Sequence, residues 1–364
     1  MELSNQNILF LTRTMDLGGT ENVILQLCEI FKPRVNKIVV CSKVGVNVEK
    51  LNDMGIKHYD IDDIASKRPD IMLKNLKKIK KIVKYEKITV IHSHHRMAAL
   101  YAQLIAKRDI IKIANAHNTF YDKKLLTNIS YRNTQLIAVG EMVKNNLVDF
   151  FKIKERMITV IHNAVKPFEG NIVQDELINS LHKKGFFVVG NIGRLSEQKG
   201  MEYYIKSIPI IIKKCPYTRF VIAGTGENKK ELIQLAKNEG VQDYIYFLGY
   251  RDDVQNLMSQ IDLVVLSSLW EGLPLTPIEA YSVGRTIVAT SVDGTTEIVD
   301  DGIDGYLVEP KKEKAIAKKV CYLIENPDVL QKMQECALKK YKKEFSFESL
   351  ENSYINFYKE IRND

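Results

Sequence analysis

Short apolar runs that alternate with longer helical stretches constrain the fold of this chain more than any other feature. In the first half they predict strands at 8–11, 37–41, 56–59, 89–92, 111–116, 136–139 and 158–161. In the second half they predict strands at 186–192, 219–223, 244–248, 263–266 and 286–289, followed by helices at 313–325, 328–341 and 347–361. Short strands separated by helices are typical of βαβ units with a parallel sheet. The sequence therefore predicts an α/β protein with two doubly wound, Rossmann-like domains.

The predicted domain boundaries follow the same periodicity. Residues 1–165 form the first domain and 185–345 the second, because the interval 166–184 has weak periodicity and contains Pro167 and Gly170, which suits a linker. Residues 346–364 form a final helix. With 364 residues, 45% of them hydrophobic, the chain is long enough to bury two cores.

Cysteine usage and hydropathy indicate the cellular compartment. Five scattered cysteines without a CxxC pair favour reduced thiols over a disulfide framework or a zinc site. The first six residues are polar and lack the pattern of a signal peptide, and no apolar run approaches the ~20 residues that span a bilayer. We expect a cytoplasmic protein, at most peripheral on the inner face of the cell membrane.

One eleven-residue stretch, 270–280, combines two carboxylates with signals for the start of a helix. Glu271 and Glu279 are separated by seven residues, Pro277 suits a first helical position, and Thr276 with Glu279 forms a capping box. The unpaired N–H groups of such a helix start bind anions well. The stretch predicts a phosphate-binding loop, with a purely structural helix cap as the alternative.

A second stretch, 193–200, follows the strand predicted at 186–192 and reads Gly-Arg-Leu-Ser-Glu-Gln-Lys-Gly. Arg194 can offer a planar pair of N–H donors and Lys199 a mobile point charge, and both groups suit a diphosphate. Ordinary surface charges are the alternative interpretation.

Together these motifs resemble those of the retaining glycosyltransferases of family 4, which have the two-domain fold called GT-B. The resemblance covers nearly the whole chain, since further motifs occur in the expected order at 18–19, 115–118, 224–226, 247–249 and 304–308. It implies two Rossmann-like domains that face each other across a cleft, with the nucleotide sugar bound by the second. It also implies that the last helix crosses back onto the first domain.

The resemblance assigns roles to individual residues. It places Glu279 at the ribose hydroxyls and Glu271 at hydroxyls of the transferred sugar. It assigns Arg194 and Lys199 to the diphosphate, where they would stabilise the charge that builds up as the glycosidic bond breaks. His117 matches the histidine that reaches the transferred sugar, although a packed structural histidine is the alternative. The predicted catalytic residues are therefore His117, Arg194, Lys199 and Glu271.

Backbone groups complete the predicted donor site. Gly18 and Gly19 would let the backbone of the first domain approach the sugar diphosphate, unless they form only a tight turn. The remaining donor contacts are expected from the backbone at Gly272, Leu273, Leu275 and Thr276, and from the backbone near Tyr250 and Arg251 for the base. Arg13, Asp16 and Arg96 are candidates for the acceptor pocket.

No metal and no cofactor are expected, because two fixed cations can stabilise the diphosphate and the nucleotide sugar is itself a substrate. The acidic run 60–63 suits a solvated loop, and His92, His94 and His95 have no carboxylate or cysteine set at ligand spacing. The dinucleotide fingerprint Gly-x-Gly-x-x-Gly is absent at 18–19 and at 224–226, which argues against a nicotinamide enzyme.

Positive charge is concentrated in the first half, where residues 1–167 carry +12 against −4 for the rest. The helix predicted at 70–87 has an apolar stripe and seven lysines; the stripe is Met72, Leu76, Ile79 and Val83. The helix either packs on the sheet with its lysines in water or binds an anionic membrane surface. Nucleic acid is disfavoured as a partner, because no aromatic residues are interleaved with the lysines.

The predicted activity is retaining, metal-independent transfer of a hexose or N-acetylhexosamine from a nucleoside diphosphate sugar, most simply a UDP-sugar, to an acceptor hydroxyl. The favoured acceptor is a lipid-linked glycan of bacterial exopolysaccharide or capsule synthesis. Two alternatives stay open: an isomerase acting on UDP-N-acetylglucosamine, and a non-catalytic partner of another glycosyltransferase. Departures from the family pattern at 161–165 and 292–297 leave the sugar identity and the hinge geometry undetermined.

Overall fold

The computed structural model describes residues 1–361, which divide into two compact units. Unit 1 comprises Met1–Asn163 and the described residues from Leu350 onward, and unit 2 comprises Ala164–Ser349. Each unit has its own parallel β-sheet, helical connections and hydrophobic core. The predicted α/β class with two doubly wound parallel sheets is confirmed.

Unit 1 has a seven-stranded sheet with the order β3-β2-β1-β4-β5-β6-β7, in which all neighbours are parallel. Its strands are β1 (Asn7–Thr14), β2 (Lys37–Lys43), β3 (Lys57–Asp60), β4 (Val90–Ser93), β5 (Ile111–Ala116), β6 (Gln135–Ala138) and β7 (Ile158–Val160). Its helices are α1 (Gly19–Phe31), α2 (Val48–Asp53), α3 (Pro69–Tyr85), α4 (Arg96–Ile105), α5 (Lys124–Ser130) and α6 (Glu141–Asp149). The strand order reverses between β1 and β4.

Unit 2 has a six-stranded parallel sheet with the order β10-β9-β8-β11-β12-β13, which reverses between β8 and β11. Its strands are β8 (Phe187–Ile192), β9 (Thr218–Ala223), β10 (Ile245–Gly249), β11 (Leu263–Leu266), β12 (Ile287–Thr290) and β13 (Gly305–Val308). Its helices are α7 (Glu176–Lys183), α8 (Met201–Lys214), α9 (Lys229–Asn238), α10 (Val254–Gln260), α11 (Leu275–Ser282), α12 (Thr295–Ile298), α13 (Glu313–Glu325) and α14 (Pro327–Lys340). A π-helical turn, Tyr341–Phe345, precedes α15 (Phe347–Glu360).

Two elements of unit 2 differ from the sequence prediction. The interval 166–184, predicted as a linker, contains helix α7, which is capped by the Asp175 side chain. Strand β13 was not predicted, because its four residues include a glycine and only a short apolar run. The ends of the predicted strands lie within two residues of the observed ones, except that β1 continues three residues further, to Thr14. The agreement arises because central parallel strands are buried on both faces and are therefore continuously apolar.

Helix α3 places its apolar side on the core of unit 1. Ile79, Ile82 and Val83 are buried in that core, with Leu76 packed against it. The predicted Met72 end of the stripe is only partly buried. The seven lysines predicted for this helix region (74, 77, 78, 80, 81, 84 and 87) are all exposed. The apolar stripe is therefore used mainly for packing, whereas the lysines point to solvent.

A buried polar network joins helix α15 to the sheet of unit 1. The Nε2 atom of His92 lies 2.8 Å from Oδ1 of Asn115, and its Nδ1 atom lies 2.8 Å from the hydroxyl of Tyr358. The Asn115 amide also donates to the hydroxyl of Tyr354 at 2.7 Å. Because an amide oxygen only accepts, His92 carries its proton on Nε2 and accepts from Tyr358. Burial lowers the pKa of His92 to about 3, so the ring stays neutral.

Tyr358→Phe tests this network. The change removes the donor to Nδ1 of His92 and leaves a buried ring nitrogen unpaired, which should lower the free energy of unfolding by about 1–3 kcal/mol. Urea denaturation measures the loss, with Tyr85→Phe as control because Tyr85 is 75% exposed in the same unit. Equal midpoints for the two variants would show that the network does not stabilise the fold.

Candidate active site

The donor residues predicted in unit 2 lie at the point where its strand order reverses. Strands β8 and β11 are neighbours in the sheet, and the stretches 193–200 and 267–274 follow their carboxyl ends. In open α/β sheets a ligand binds beside the carboxyl ends of the strands at such a reversal. The topology therefore brings together two motifs that are about 70 residues apart in the sequence.

Backbone contacts hold these two loops against each other. The N–H of Leu269 donates to the carbonyl of Gln198 at 2.7 Å, and the hydroxyl of Ser267 donates to the carbonyl of Lys199 at 3.0 Å. Gly200 has φ +52°, and a Cβ atom there would overlap the carbonyl oxygen of Ser267. Only glycine satisfies both conditions at this position without strain.

Lys199 and Glu271 form a largely buried ion pair, with 2.5 Å between Nζ and Oε1. Ser268 donates to the same carboxylate oxygen at 2.7 Å, and the amide of Gln198 lies 3.4 Å from the other oxygen. The structure thus brings together two of the predicted catalytic residues. Their contacts with Ser268 and Gln198 were not predicted, although Gln198 lies inside the motif at 193–200.

Glu279 lies on α11, and its carboxylate has no hydrogen-bond or ion-pair partner among residues 1–361. Burial raises the pKa of Glu279 to about 7, and the positive charge of Lys199 only partly opposes this rise. A carboxyl group with free acceptor positions is available to a ligand that donates hydrogen bonds.

The predicted capping box is wrong, because α11 begins at Leu275 rather than after Thr276. Pro274 occupies the N-cap position, and no side chain caps the helix. Pro277 fits in the first turn because the first four N–H groups of a helix have no partner within it. The N–H groups of Leu275 and Thr276 lie in that turn, so the predicted amides are at a helix N-terminus.

The remaining predicted donor residues of unit 2 differ in their surroundings. Arg194 is exposed, and its guanidinium has no hydrogen-bond or ion-pair partner in the described part of the chain. Arg251 instead binds Asp175 at 2.7 Å and Asp253 at 2.6 Å, so its side chain joins the starts of α7 and α10. Tyr250, the other residue predicted near the base, is 57% exposed.

In unit 1 the predicted residues follow three adjacent strands. Gly18 and Gly19 stand at the start of α1 after β1, and His117 follows β5. Nε2 of His117 lies 3.2 Å from Nδ1 of His94, which follows β4. Burial lowers the pKa of His117 to about 4, so this ring is neutral near pH 7. The contact between His94 and His117 was not predicted, because the two residues lie in loops after different strands.

The groups weighed as metal ligands have protein partners. Asp63 binds Arg13 at 2.8 Å, and Asp62 binds Lys74 at 2.7 Å. Nδ1 of His95 accepts from the first turn of α4. Within residues 1–361 no group of three His, Cys, Asp or Glu side chains is arranged to hold a metal ion. No helix in the same range is long and apolar enough to cross a bilayer.

Comparison with known proteins identifies the family and agrees with the fold. The family described as Glycosyltransferase Family 4 matches residues 17–167, and the family described as Glycosyl transferases group 1 matches residues 173–340. These matches and the fold define the class of the protein, a glycosyltransferase of the GT-B type. The chain belongs to glycosyltransferase family 4.

Two of the similar proteins are named for bacterial glycan synthesis. The chain is 25% identical over 315 residues to the Escherichia coli UDP-Gal:alpha-D-GlcNAc-diphosphoundecaprenol alpha-1,3-galactosyltransferase, covering 80% of this chain and 81% of the relative. It is 26% identical to the Staphylococcus aureus capsular polysaccharide biosynthesis glycosyltransferase CapM, covering 62% and 63%. The crystal structure of Anabaena Alr3699/HepE in complex with UDP superimposes with a TM-score of 0.85 at 19% identity, covering 98% and 100%.

Glu279→Gln should change the stability of the protein in a pH-dependent way. The unfolded carboxyl ionises near pH 4.5, whereas the folded one resists ionisation up to about pH 7, so the wild type loses stability as the pH rises between these values. The variant cannot ionise. Its melting temperature should match the wild type near pH 4.5 and exceed it at pH 8. Glu231→Gln, an exposed site on α9, is the control. A pH-independent difference would contradict the unpaired state of Glu279.

Proposed function

We propose that this protein transfers a hexose or N-acetylhexosamine from a UDP-sugar to a hydroxyl group of a lipid-linked glycan, with retention of configuration. The observation that carries the proposal is the ion pair of Lys199 and Glu271 at the sheet reversal of unit 2. Arg194 lies in the same loop as Lys199, and Glu279 lies on the helix after Glu271, where it feels the charge of Lys199. Two cations and two carboxylates suit a ligand with a diphosphate at its centre and hydroxyl groups on both sides.

In the proposed complex the diphosphate lies between the Arg194 guanidinium and the N-terminus of α11. Arg194 is unpaired among the described residues and exposed, so it can bind two phosphate oxygens at once. The first-turn N–H groups of Leu275 and Thr276 supply further donors. The partnerless carboxylate of Glu279 then accepts from the ribose hydroxyls.

Lys199 is paired with Glu271 before the donor binds, so we propose that binding exchanges these partners. The diphosphate takes over Lys199, and Glu271 accepts from hydroxyl groups of the sugar instead. Ser268 continues to orient the carboxylate. Exchange avoids leaving either charge buried and unpaired, which would cost several kcal/mol.

The proposed chemistry needs no nucleophile from the protein. The bond between the anomeric carbon and the diphosphate breaks, the acceptor oxygen bonds to that carbon on the same face, and a phosphate oxygen takes the acceptor proton. Lys199 and Arg194 stabilise the negative charge on the departing diphosphate, which is electrostatic stabilisation by preorganised groups. No metal or cofactor is proposed, and a role of His117 at the transferred sugar is proposed from the resemblance.

The two bacterial relatives described above support the proposed donor and acceptor classes. One is named for transfer from UDP-galactose to a sugar linked to diphosphoundecaprenol, and the other for capsular polysaccharide synthesis. The Anabaena structure was determined with UDP. We therefore propose UDP as the nucleotide and a bacterial exopolysaccharide or capsule intermediate as the acceptor.

Thermal melting with nucleotides tests the donor class. The protein is melted with UDP, GDP, ADP and TDP in EDTA and again in Mg²⁺. A ligand at 100 times its Kd stabilises the folded state by about 2.7 kcal/mol. UDP should raise the melting temperature equally in both buffers. If no nucleotide shifts the melting temperature, the proposal is contradicted. If the protein converts a UDP-sugar to its epimer in the absence of an acceptor, the activity is that of an isomerase and not of a transferase.

Lys199→Ala tests the proposed catalytic charge. Removing this cation should lower the turnover number by about 100-fold or more, because it stabilises charge that grows during the reaction. The measurement is release of UDP from the UDP-sugar in the presence of a membrane extract that supplies acceptor. Lys214→Ala is the control, since that lysine forms an exposed pair with Glu325 in the same unit. Equal turnover in both variants would remove Lys199 from the mechanism.

We propose further that the lysines of α3 bring the protein to an anionic membrane surface, where a lipid-linked acceptor would lie. Each lysine near such a surface contributes about 1 kcal/mol before screening. Exchange of Lys77, Lys80 and Lys84 for glutamine should weaken sedimentation with vesicles containing phosphatidylserine at least tenfold. The same exchange of Lys229, Lys230 and Lys237 on α9 is the control. Equal binding by both triple variants would contradict this role of α3.

A further inference from the structure

The turn after strand β12 forms part of the wall around Glu271. Gly294 packs so closely on the loop after β11 that a Cβ atom there would overlap the carbonyl oxygen of Gly272. A hydrogen bond within the turn stabilises it, because the hydroxyl of Thr296 donates to the carbonyl of Asp293 at 2.7 Å. The backbone of residues 293–294 therefore lies directly against the backbone of the residue that follows Glu271.

Asp293 is the residue of this turn that precedes Gly294. Its carboxylate lies close enough to Glu271 to feel the charge of that side chain. Burial, and then that negative charge, raise the pKa of Asp293. No lysine or arginine forms an ion pair with Asp293 in the part of the chain that the structure describes.

The backbone of Asp293 is also strained. Its φ angle is +22°, a region that residues with a Cβ atom rarely occupy and that glycine occupies at little cost. A glycine at this position would remove the strain and the repulsion from Glu271 together. An unfavourable conformation that also carries an unfavourable charge indicates a functional constraint.

We propose that Asp293 is a specificity-determining residue for the sugar of the donor. With Glu271 it forms a pair of carboxylates that accepts hydrogen bonds from a neutral hexose or from an amino sugar and rejects a sugar that carries a carboxylate, such as a uronic acid. The carboxylate of such a sugar would be repelled by the carboxylates of Asp293 and Glu271, because like charges repel strongly at close range in a partly buried site. This repulsion would make the site selective for uncharged sugars. This inference rests on the proposed function, because it assumes that Glu271 faces the sugar.

Matched donor pairs test the inference. The Kd values of UDP, UDP-glucose, UDP-glucuronate, UDP-galactose and UDP-galacturonate are measured by calorimetry for the wild type, Asp293→Asn and Asp293→Gly. Each sugar pair differs only in a carboxylate at the sixth carbon. Of UDP-glucuronate and UDP-galacturonate, even the one that binds more tightly should bind the wild type at least tenfold more weakly than the corresponding neutral UDP-sugar. Both variants should reduce this ratio at least threefold and leave the Kd of UDP unchanged.

Asp243→Asn is the control, because it removes one exposed negative charge from the same unit before strand β10. It should leave every ratio at the wild-type value. Asp293→Gly suits the backbone at this position, so both variants should melt no lower than the control. Unchanged ratios in both Asp293 variants, with UDP bound normally, would overturn the inference and leave the proposed function intact. Failure of the wild type to bind any of these nucleotides would overturn the proposed function and the inference with it.

Discussion

The carboxyl ends of neighbouring parallel strands meet at one edge of a sheet, and the candidate site depends on this constraint. In unit 2 the chain winds away from β8 in one direction and returns on its other side as β11. The loops after these strands therefore meet without a crossing connection between them. Where they meet, Gly200 lies against the backbone of Ser267, and the preceding residue, Lys199, pairs with Glu271. Close contact between the two loops thus accompanies the ion pair of the site.

The electrostatic state of this site differs from that of an ordinary buried ion pair. A buried pair seldom adds net stability, but removing one partner is costly. Lys199 and Glu271 avoid that cost in two ways, first by pairing with each other and then, in the proposed complex, by each taking a new partner. Ser268 and Gln198 accompany Glu271 and limit the movement that the exchange requires.

Much of the fold followed from the sequence because its strands are apolar runs buried on both faces, such as Ile8 to Leu11, which have no exposed surface. A sequence pattern describes neighbouring residues. The predictions were therefore wrong or incomplete where a distant residue or the exact backbone conformation of a loop decides the structure. The partner of His92 is Tyr358, 266 residues later, so no motif could show that this histidine is structural. The start of α11 was misplaced because Thr276 with Glu279 has the spacing of a capping box, whereas the extended backbone of Pro274 ends the loop two residues earlier.

The candidate site residues could be named from motifs, but their charge states could not, because these depend on what surrounds each carboxyl group. Unit 2 provides a comparison. Burial raises the pKa of Asp304, yet this group is bound by Tyr281 and Lys340, as expected for a structural network. Burial also raises the pKa of Glu279 and Asp293, and neither has a cation partner among residues 1–361. A carboxylate that loses water contacts without gaining a cation partner destabilises the folded state, and a ligand that donates hydrogen bonds would relieve this cost. Glu279 and Asp293 therefore differ from the structural network of Asp304, and this difference is the electrostatic argument for the proposed donor site.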